Sequence, residues 1–166
     1  MKATTKRGGC GRSWRGSALT EFGPAIGLIL LFIFFPMLDL LSMLVSYGCC
    51  MVLNNAQTHE ASLVHWNQAK SPAGPVRKAI PDGWKVSGFG KYVKVVGDVD
   101  TTVSYRKGEN VADGVTDKIA MVSTTVTCSP FLPIPLPGAN IPGLSGPMSF
   151  TISSERQMEN PDFGEP

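Results

Sequence analysis

The sequence predicts an α+β protein in which a long N-terminal transmembrane helix packs with its C-terminal half on a small antiparallel β-sheet. The apolar run Phe22–Leu38 carries no charge and, with Ala18 and Leu19, approaches the roughly 20 residues that a helix needs to cross a bilayer. A helical pattern continues beyond this run to Ala69. The sequence then changes to alternating, β-branched segments separated by Gly and Pro.

These changes in composition divide the chain into five parts. A length of 166 residues leaves room for one domain and a membrane segment. The predicted parts are a basic cytoplasmic leader at 1–16, a long helix at 17–69 that crosses the membrane at about 19–39, a linker at 70–90, an antiparallel β head at 91–155 and a polar tail at 156–166.

The leader concentrates positive charge before the apolar run. Positive residues beside a membrane segment tend to remain in the cytoplasm, which predicts a cytoplasmic N-terminus and an external head. The net charge is +2, and it becomes −3 without the leader's basic residues, so no nucleic-acid partner is expected. The residues that set this topology are Lys2, Lys6, Arg7, Arg12 and Arg15.

Two residues of the long helix, Pro36 and Asp39, are predicted to mark the helix interface. Pro36 should kink the helix, because proline removes a backbone hydrogen bond. From Phe22 to Leu53 the helix would measure about 48 Å, which exceeds the thickness of one bilayer. We expect Asp39 to mark the outer membrane interface, with the second half of the helix emerging onto protein. The alternative is a tilted span in which Asp39 is paired inside the membrane.

The emergent half and the head have patterns of their own. Val52, Ala56, Leu63 and Trp66 lie near one helix face and polar residues lie elsewhere, which predicts that the helix continues through this segment. The predicted strands are Gly90–Val96, Asp98–Arg106, Lys118–Cys128 and Met148–Ser154, with a hairpin turn at Gly97.

The four cysteines form no CxxC pair. Cys10 would be lost with the leader. In an oxidising compartment Cys128 could pair with Cys49 or Cys50 and join the head to the helix, and the alternative is that these thiols stay free.

Signals of catalysis are absent from the sequence. His59 and Glu60 begin an HExxH motif, but Leu63 stands where the second histidine is required. His65 would lie about 240° around the helix from His59, so the two cannot share a metal. We expect no catalytic residues, no metal, no cofactor and no enzymatic activity.

The segment RGSALTEF before the apolar run resembles the processing site of type IV-like prepilins. Within that group it is similar to the TadE-like (TadE/TadF) minor pseudopilins of the Tad/Flp pilus system. Gly16 would precede the cut, Ser17 would become the new N-terminus, Glu21 would be the fifth mature residue, and Phe22 the aromatic that follows it. The helix NNAQTHEASL and the Pro-rich VTCSPFLPIPLPG also look like those of TadE-like proteins.

The resemblance implies a pilin-like fold and a single-pass protein of the bacterial inner membrane, with a periplasmic head and a possible association with the pilus. It implies a role in assembling Flp pili, and thereby in adherence, biofilm formation and secretion. The implied partners are a prepilin peptidase, sister pseudopilins, Flp pilin subunits, the inner-membrane Tad platform and the lipid bilayer. The alternative is an uncleaved, signal-anchored envelope protein whose periplasmic head binds a partner, with no role in pili.

Overall fold

The computed structural model describes residues 17–112, 115–133 and 141–166. Contacts divide the chain into two units, one up to Pro36 and one from Met37 onward. The predicted α+β class is confirmed, since a long apolar helix near the N-terminus is followed by a three-stranded antiparallel sheet.

The first unit contains helix α1, Ser17–Ile29, which includes Pro24, and a π-helical segment, Leu30–Phe34. Its described large apolar side chains, from Phe22 to Phe34, are exposed. The most exposed are Phe22, Leu28, Ile29, Phe32 and Ile33.

The π-helical segment lies directly before Pro36. The backbone N–H of Phe35 donates to the carbonyl of Leu30, five residues back. Proline lacks an N–H and its ring crowds the carbonyl four residues earlier, here that of Phe32. A wider turn at this point accommodates the proline within a helical path.

Helix α2, Phe35–Leu63, buries one stripe of its surface. The buried positions recur every three or four residues, as expected for one face of a helix. Val52 and Ala56 do not belong to this stripe, since both are exposed. The buried residues of α2 are mostly polar or small: Asp39, Met43, Ser46, Cys49, Cys50, Leu53, Asn54, Gln57, Thr58, Ala61 and Ser62.

One helix in the described chain, Phe22–Leu63, is long and apolar enough to cross a membrane. Only 11% of its most apolar 18-residue window is buried, so this window is not the core helix of a packed domain. A single-pass membrane anchor is consistent with this composition.

The helix ends earlier than the sequence predicted. Leu63 is its last residue, and a short helix α3, Trp66–Lys70, follows after a break. His65 produces the new start, because its Nδ1 accepts the backbone N–H of Asn67 at 3.3 Å. Such a cap competes with continuation of the preceding helix.

The predicted linker is largely helical. It contains a π-helical turn, Pro75–Ala79, and helices α4, Ile80–Val86, and α5, Gly88–Val93. The predicted strand Gly90–Val96 was therefore wrong. Its aromatic and β-branched residues favour a strand, but Ser87 caps the N-terminus of α5 and accepts the N–H of Gly90 at 3.4 Å.

The sheet has the strand order β1-β2-β3, with β1 at Asp100–Ala112, β2 at Val115–Cys128 and β3 at Met148–Gln157. Both neighbouring pairs are antiparallel. The three remaining predicted strands are confirmed, although each is longer than expected. The hairpin predicted at Gly97 was wrong, because β1 pairs with β2 and the two strands are separated by two residues after Ala112.

The predicted alternation in β2 is confirmed. Its inner face packs beneath α2, whereas the residues between are partly exposed. One core cluster joins Cys49, Cys50 and Leu53 of α2 to Trp84, Val93, Val126, Cys128 and Ile152. A second cluster joins Ala61, Ala69, Val76, Val103, Ala120, Val122 and Met158.

The predicted polar tail at 156–166 is packed against the head. Met158 is 3% exposed, and its N–H donates to the carbonyl of Lys118 at 2.8 Å. A 3₁₀ turn, Pro161–Phe163, then leads to Glu165, which forms an ion pair with Lys70. The apolar side chain of Met158 accounts for the docking of an otherwise polar segment.

Candidate functional site

The residues of the processing motif are only partly described. Gly16 lies outside the described residues, as do the basic residues Lys2, Lys6, Arg7, Arg12 and Arg15. Ser17 and Glu21 belong to helix α1. Phe22 is in the same helix and its side chain is 63% exposed.

Asp39 lies at the point where the second unit begins to pack. Its side chain is fully buried. Oδ1 accepts the backbone N–H groups of Phe131 at 2.9 Å and Leu132 at 3.2 Å. These two residues follow strand β2, so Asp39 connects the helix to the Pro-rich loop of the head.

The two backbone N–H dipoles offset the cost of burying the carboxylate of Asp39. An isolated buried charge is costly, and hydrogen bonds from N–H groups to a carboxylate are among the stronger ones. Oδ2 is also buried and has no hydrogen-bond partner among the described residues. The partner of Asp39 is thus the chain's own head.

A second polar contact lies one turn beyond Asp39. Ser42 Oγ is 3.2 Å from Tyr92 Oη of α5, and Ser46 Oγ donates to the carbonyl of Ser42 at 3.0 Å. Tyr92 and Ser42 therefore join the small helices to α2 near the start of the packed stripe.

The three described cysteines meet in the core between α2 and β2. Cys50 and Cys128 are fully buried, and their Sγ atoms are 4.0 Å apart. A hydrogen bond from the Cys50 thiol lowers the pKa of Cys128, while burial acts in the opposite direction. Cys49 is 9% exposed and its sulfur contacts neither of the other two within hydrogen-bond distance. The three thiols are free in this structure.

Asn54 is the central polar residue of the interface between α2 and the sheet. Its Nδ2 lies 3.1 Å from the carbonyl of Val122, 3.0 Å from Thr124 Oγ1 and 3.1 Å from the carbonyl of Ile152. Its Oδ1 accepts a hydrogen bond from Ser154 Oγ. One buried amide therefore contacts both β2 and β3.

Gln57 continues the network one turn further along α2. Its Nε2 donates to the carbonyl of Val76 at 2.7 Å and to Thr101 Oγ1 at 2.9 Å. Its Oε1 accepts the hydroxyl of Thr124 at 2.8 Å. Thr124 thus links the two amides, and the network ties α2 to β1, β2 and the π-helical turn.

Such a network specifies one position of the helix on the sheet. A shift along the sheet would leave several buried donors and acceptors without partners, and each unpaired group costs about 1–3 kcal/mol. An apolar interface would tolerate sliding more easily. We therefore infer that Asp39, Asn54 and Gln57, through these contacts, set the register between the helix and the head.

Sequence reasoning missed Asn54 and Gln57 because polar residues were assigned to the solvent face. A usable signal existed in the spacing. Extending the three- and four-residue steps from Asp39 through Met43, Cys50 and Leu53 leads to Gln57 on the same face.

Within the described residues, no group of three or more His, Cys, Asp and Glu side chains could hold a metal ion. His65 instead contacts Phe163, with ring centroids 5.9 Å apart, and caps α3. The polar side chains of this interface pack the helix on the sheet and fix its register. No family model, curated protein or solved structure matches this chain.

Proposed function

We propose that this protein is a TadE-like minor pseudopilin with a pilin-like fold, needed for assembly of Tad/Flp-type pili. A prepilin peptidase cuts it between Gly16 and Ser17. The mature protein is held in the inner membrane by the first part of its helix, with its head in the periplasm. Its activity is to pack with other subunits, and it is a substrate of an enzyme and not itself an enzyme.

The observation that supports the proposal is a difference in burial between the first and second parts of one helix. Up to Pro36 the apolar side chains are exposed, as a lipid-facing segment requires. From Asp39 onward one stripe of the helix is buried by the head. A soluble core helix would not leave its most apolar window uncovered, and a simple signal sequence would not continue as the central helix of a folded head.

The contact of Asp39 with Phe131 and Leu132 favours emergence of the helix over a tilted span. Backbone groups of an irregular loop are not tolerated in contact with lipid. The two N–H contacts to Asp39 therefore support an outer membrane boundary close to this residue. This boundary agrees with a span of about 19–39.

Glu21 has a physical role in the proposed mature protein. A carboxylate at the edge of an apolar helix needs a partner or water. Cleavage before Ser17 creates a positively charged α-amino group four residues away, in the same subunit or in a neighbour. Pairing of these two charges would select correctly processed subunits during assembly.

The basic leader supports the orientation. Its positive residues favour retention on the cytoplasmic side, where a prepilin peptidase would meet Gly16. Adherence, biofilm formation and secretion through the Tad machinery would then be consequences of pilus assembly. Sister pseudopilins, Flp pilin subunits and the Tad platform are the proposed partners.

The proposal is tested by mapping the N-terminus of the membrane-purified protein by intact-mass spectrometry. We expect the mature chain to begin at Ser17 in a strain with the peptidase and to retain the leader in a strain without it. A Gly16→Ala variant serves as a matched control, because it should slow processing without changing the charge of the leader. An intact leader in both strains would refute the proposal and support the uncleaved, signal-anchored envelope protein.

Assembly is tested separately from processing. The gene is deleted and restored with either wild-type protein or the Gly16 variant, and surface pili are counted by electron microscopy. We expect pili only with the processed protein. Normal piliation in the deletion strain would contradict a role in assembly even if cleavage occurs at Gly16.

A further inference from the structure

Cys50 and Cys128 lie in the core where a covalent bond between them would join helix α2 to strand β2. Cys50 belongs to α2 and Cys128 is the last residue of β2, 78 positions later. Both side chains are fully buried, and their sulfur atoms are already in contact at 4.0 Å. A disulfide requires the sulfurs at about 2.0 Å, so they must approach by about 2 Å for the bond to form.

We propose that Cys50 and Cys128 form a structural disulfide that connects the assembly helix to the central strand of the head. The adjacent Cys49 remains a free thiol. The proposal selects one of the two pairings that the sequence left open, and it does not depend on cleavage at Gly16 or on a role in pili.

The selection of Cys50 follows from the direction of its side chain. Cys50 lies on the buried stripe with Leu53 and Gln57, which faces β2. Successive residues of a helix differ by about 100° in direction, so Cys49 and Cys50, although both in the core cluster, approach β2 from different directions. Among the described cysteines, only Cys50 and Cys128 have their sulfur atoms in contact.

The reaction is a thiol–disulfide exchange with a disulfide compound as the oxidant. The thiolate of one cysteine attacks one sulfur of the oxidant, forms a mixed disulfide with it and expels the oxidant's other sulfur as a thiolate. The second cysteine, as a thiolate, then attacks the mixed disulfide and releases the reduced oxidant. One S–S bond forms in the protein, two thiol protons pass to solvent or oxidant, and two electrons pass to the oxidant.

Burial determines when this exchange occurs. Neither sulfur is accessible in the folded head. The bond must therefore form while α2 docks on the sheet, and the folded protein then shields it from reductants. The neighbouring contacts of Asn54 with Val122 and Thr124 hold the two elements in the register that the bond needs.

The test uses the full chain, reduced and unfolded in urea, and then refolded in detergent micelles with a mixture of oxidised and reduced glutathione. Free thiols are blocked by alkylation, and disulfides are assigned by peptide mass spectrometry. Fragment-ion spectra are required, because Cys49 and Cys50 are adjacent and no protease separates them. We expect the Cys50–Cys128 bond as the dominant species and alkylation of Cys49.

Variants provide the matched comparison. Cys49→Ser should form the bond as the wild type does, and Cys50→Ser should form none. In the folded oxidised protein, reduction by dithiothreitol should be more than about tenfold slower than in urea, since access requires opening of the core. If Cys50→Ser does not fold, the fragment spectra and reduction rates of the wild type still test the Cys50–Cys128 pairing.

Three results would overturn the proposal. They are a dominant Cys49–Cys128 bond, a bond between Cys49 and Cys50, and recovery of the folded wild type with Cys50 and Cys128 either both free or held only as glutathione adducts. Equal rates of reduction in the folded and unfolded protein would also contradict the shielded position of the bond.

Discussion

Asp39 Oδ1 accepts the backbone N–H of Phe131 at 2.9 Å, which connects two residues 92 positions apart in the sequence. The N–H of Leu132 binds the same oxygen at 3.2 Å. An acidic residue at the end of an apolar run thus has its partner in the loop that follows β2. The contact defines the first point at which the head covers the helix.

The first prediction concerns the acceptor at Asp39. Asp39→Ala should lower the free energy of unfolding of the head by about 2–3 kcal/mol, because the two N–H groups lose a charged acceptor. Asp39→Asn keeps an oxygen at the same place and should lose less than half as much. Urea unfolding in detergent micelles, followed by tryptophan fluorescence, measures both. Equal losses for Ala and Asn would indicate that Asp39 acts through its charge, as in pairing with a cation within the membrane.

The second prediction concerns Asn54. Asn54→Leu should lower the free energy of unfolding by about 2–4 kcal/mol, because it leaves the buried carbonyl of Val122, the buried Thr124 hydroxyl and the half-buried Ser154 hydroxyl short of partners. The matched control is Asn55→Leu, since Asn55 is the adjacent residue and is exposed. Its effect should stay within about 0.5 kcal/mol. Similar effects of the two substitutions in urea unfolding would show that the network does not hold the helix.

The third prediction concerns alkaline pH. Burial, followed by the nearby Glu165 carboxylate, raises the pKa of Tyr105 from 10.0 to about 12. The folded state then holds the phenol proton more tightly than the unfolded state. The contribution of Tyr105 to stability is therefore complete below about pH 10 and is lost as the pH rises to about 12.

Thermal unfolding between pH 8 and pH 12 measures this effect as a difference between variants. Tyr105→Phe should show a smaller fall in Tm across the upper part of this range than the wild type. Tyr92→Phe is the control, because the side chain of Tyr92 is 42% exposed. A wild-type pH profile for Tyr105→Phe would exclude the phenol as the titrating group.

The fourth prediction concerns Glu21 and depends on the proposed function. Glu21→Gln should abolish pilus assembly while the protein still reaches the membrane, because it removes the charge that would pair with the new α-amino group. Immunoblots of membrane fractions and electron microscopy of surface pili provide the two readouts. Glu60→Gln, in the same long helix, should leave piliation unchanged. Normal pili in the Glu21→Gln strain would refute the proposed pairing of Glu21 with the α-amino group.

Sequence patterns were sufficient where structure depends on neighbours along the chain. The apolar run before Asp39 predicted a helix that can span a membrane, and strict alternation in Lys118–Cys128 predicted both the strand and its inner face. These signals are local, since hydrophobic periodicity and side-chain direction arise within a single element. The short helix α5 was missed because a serine cap overrode the strand preference of its residues.

By itself, the sequence determined the presence of the apolar helix, the three strands that follow it and the order of these elements, although it also predicted a fourth strand where α5 lies. Only the tertiary structure decided which face of α2 is buried, which cysteine meets Cys128 and that the last residues dock on the head. The reason is that a buried polar group is stable only when its partner is present. The partners of Asp39, Cys50 and Asn54 lie about 70 to 100 residues away in sequence, where no local pattern can indicate them.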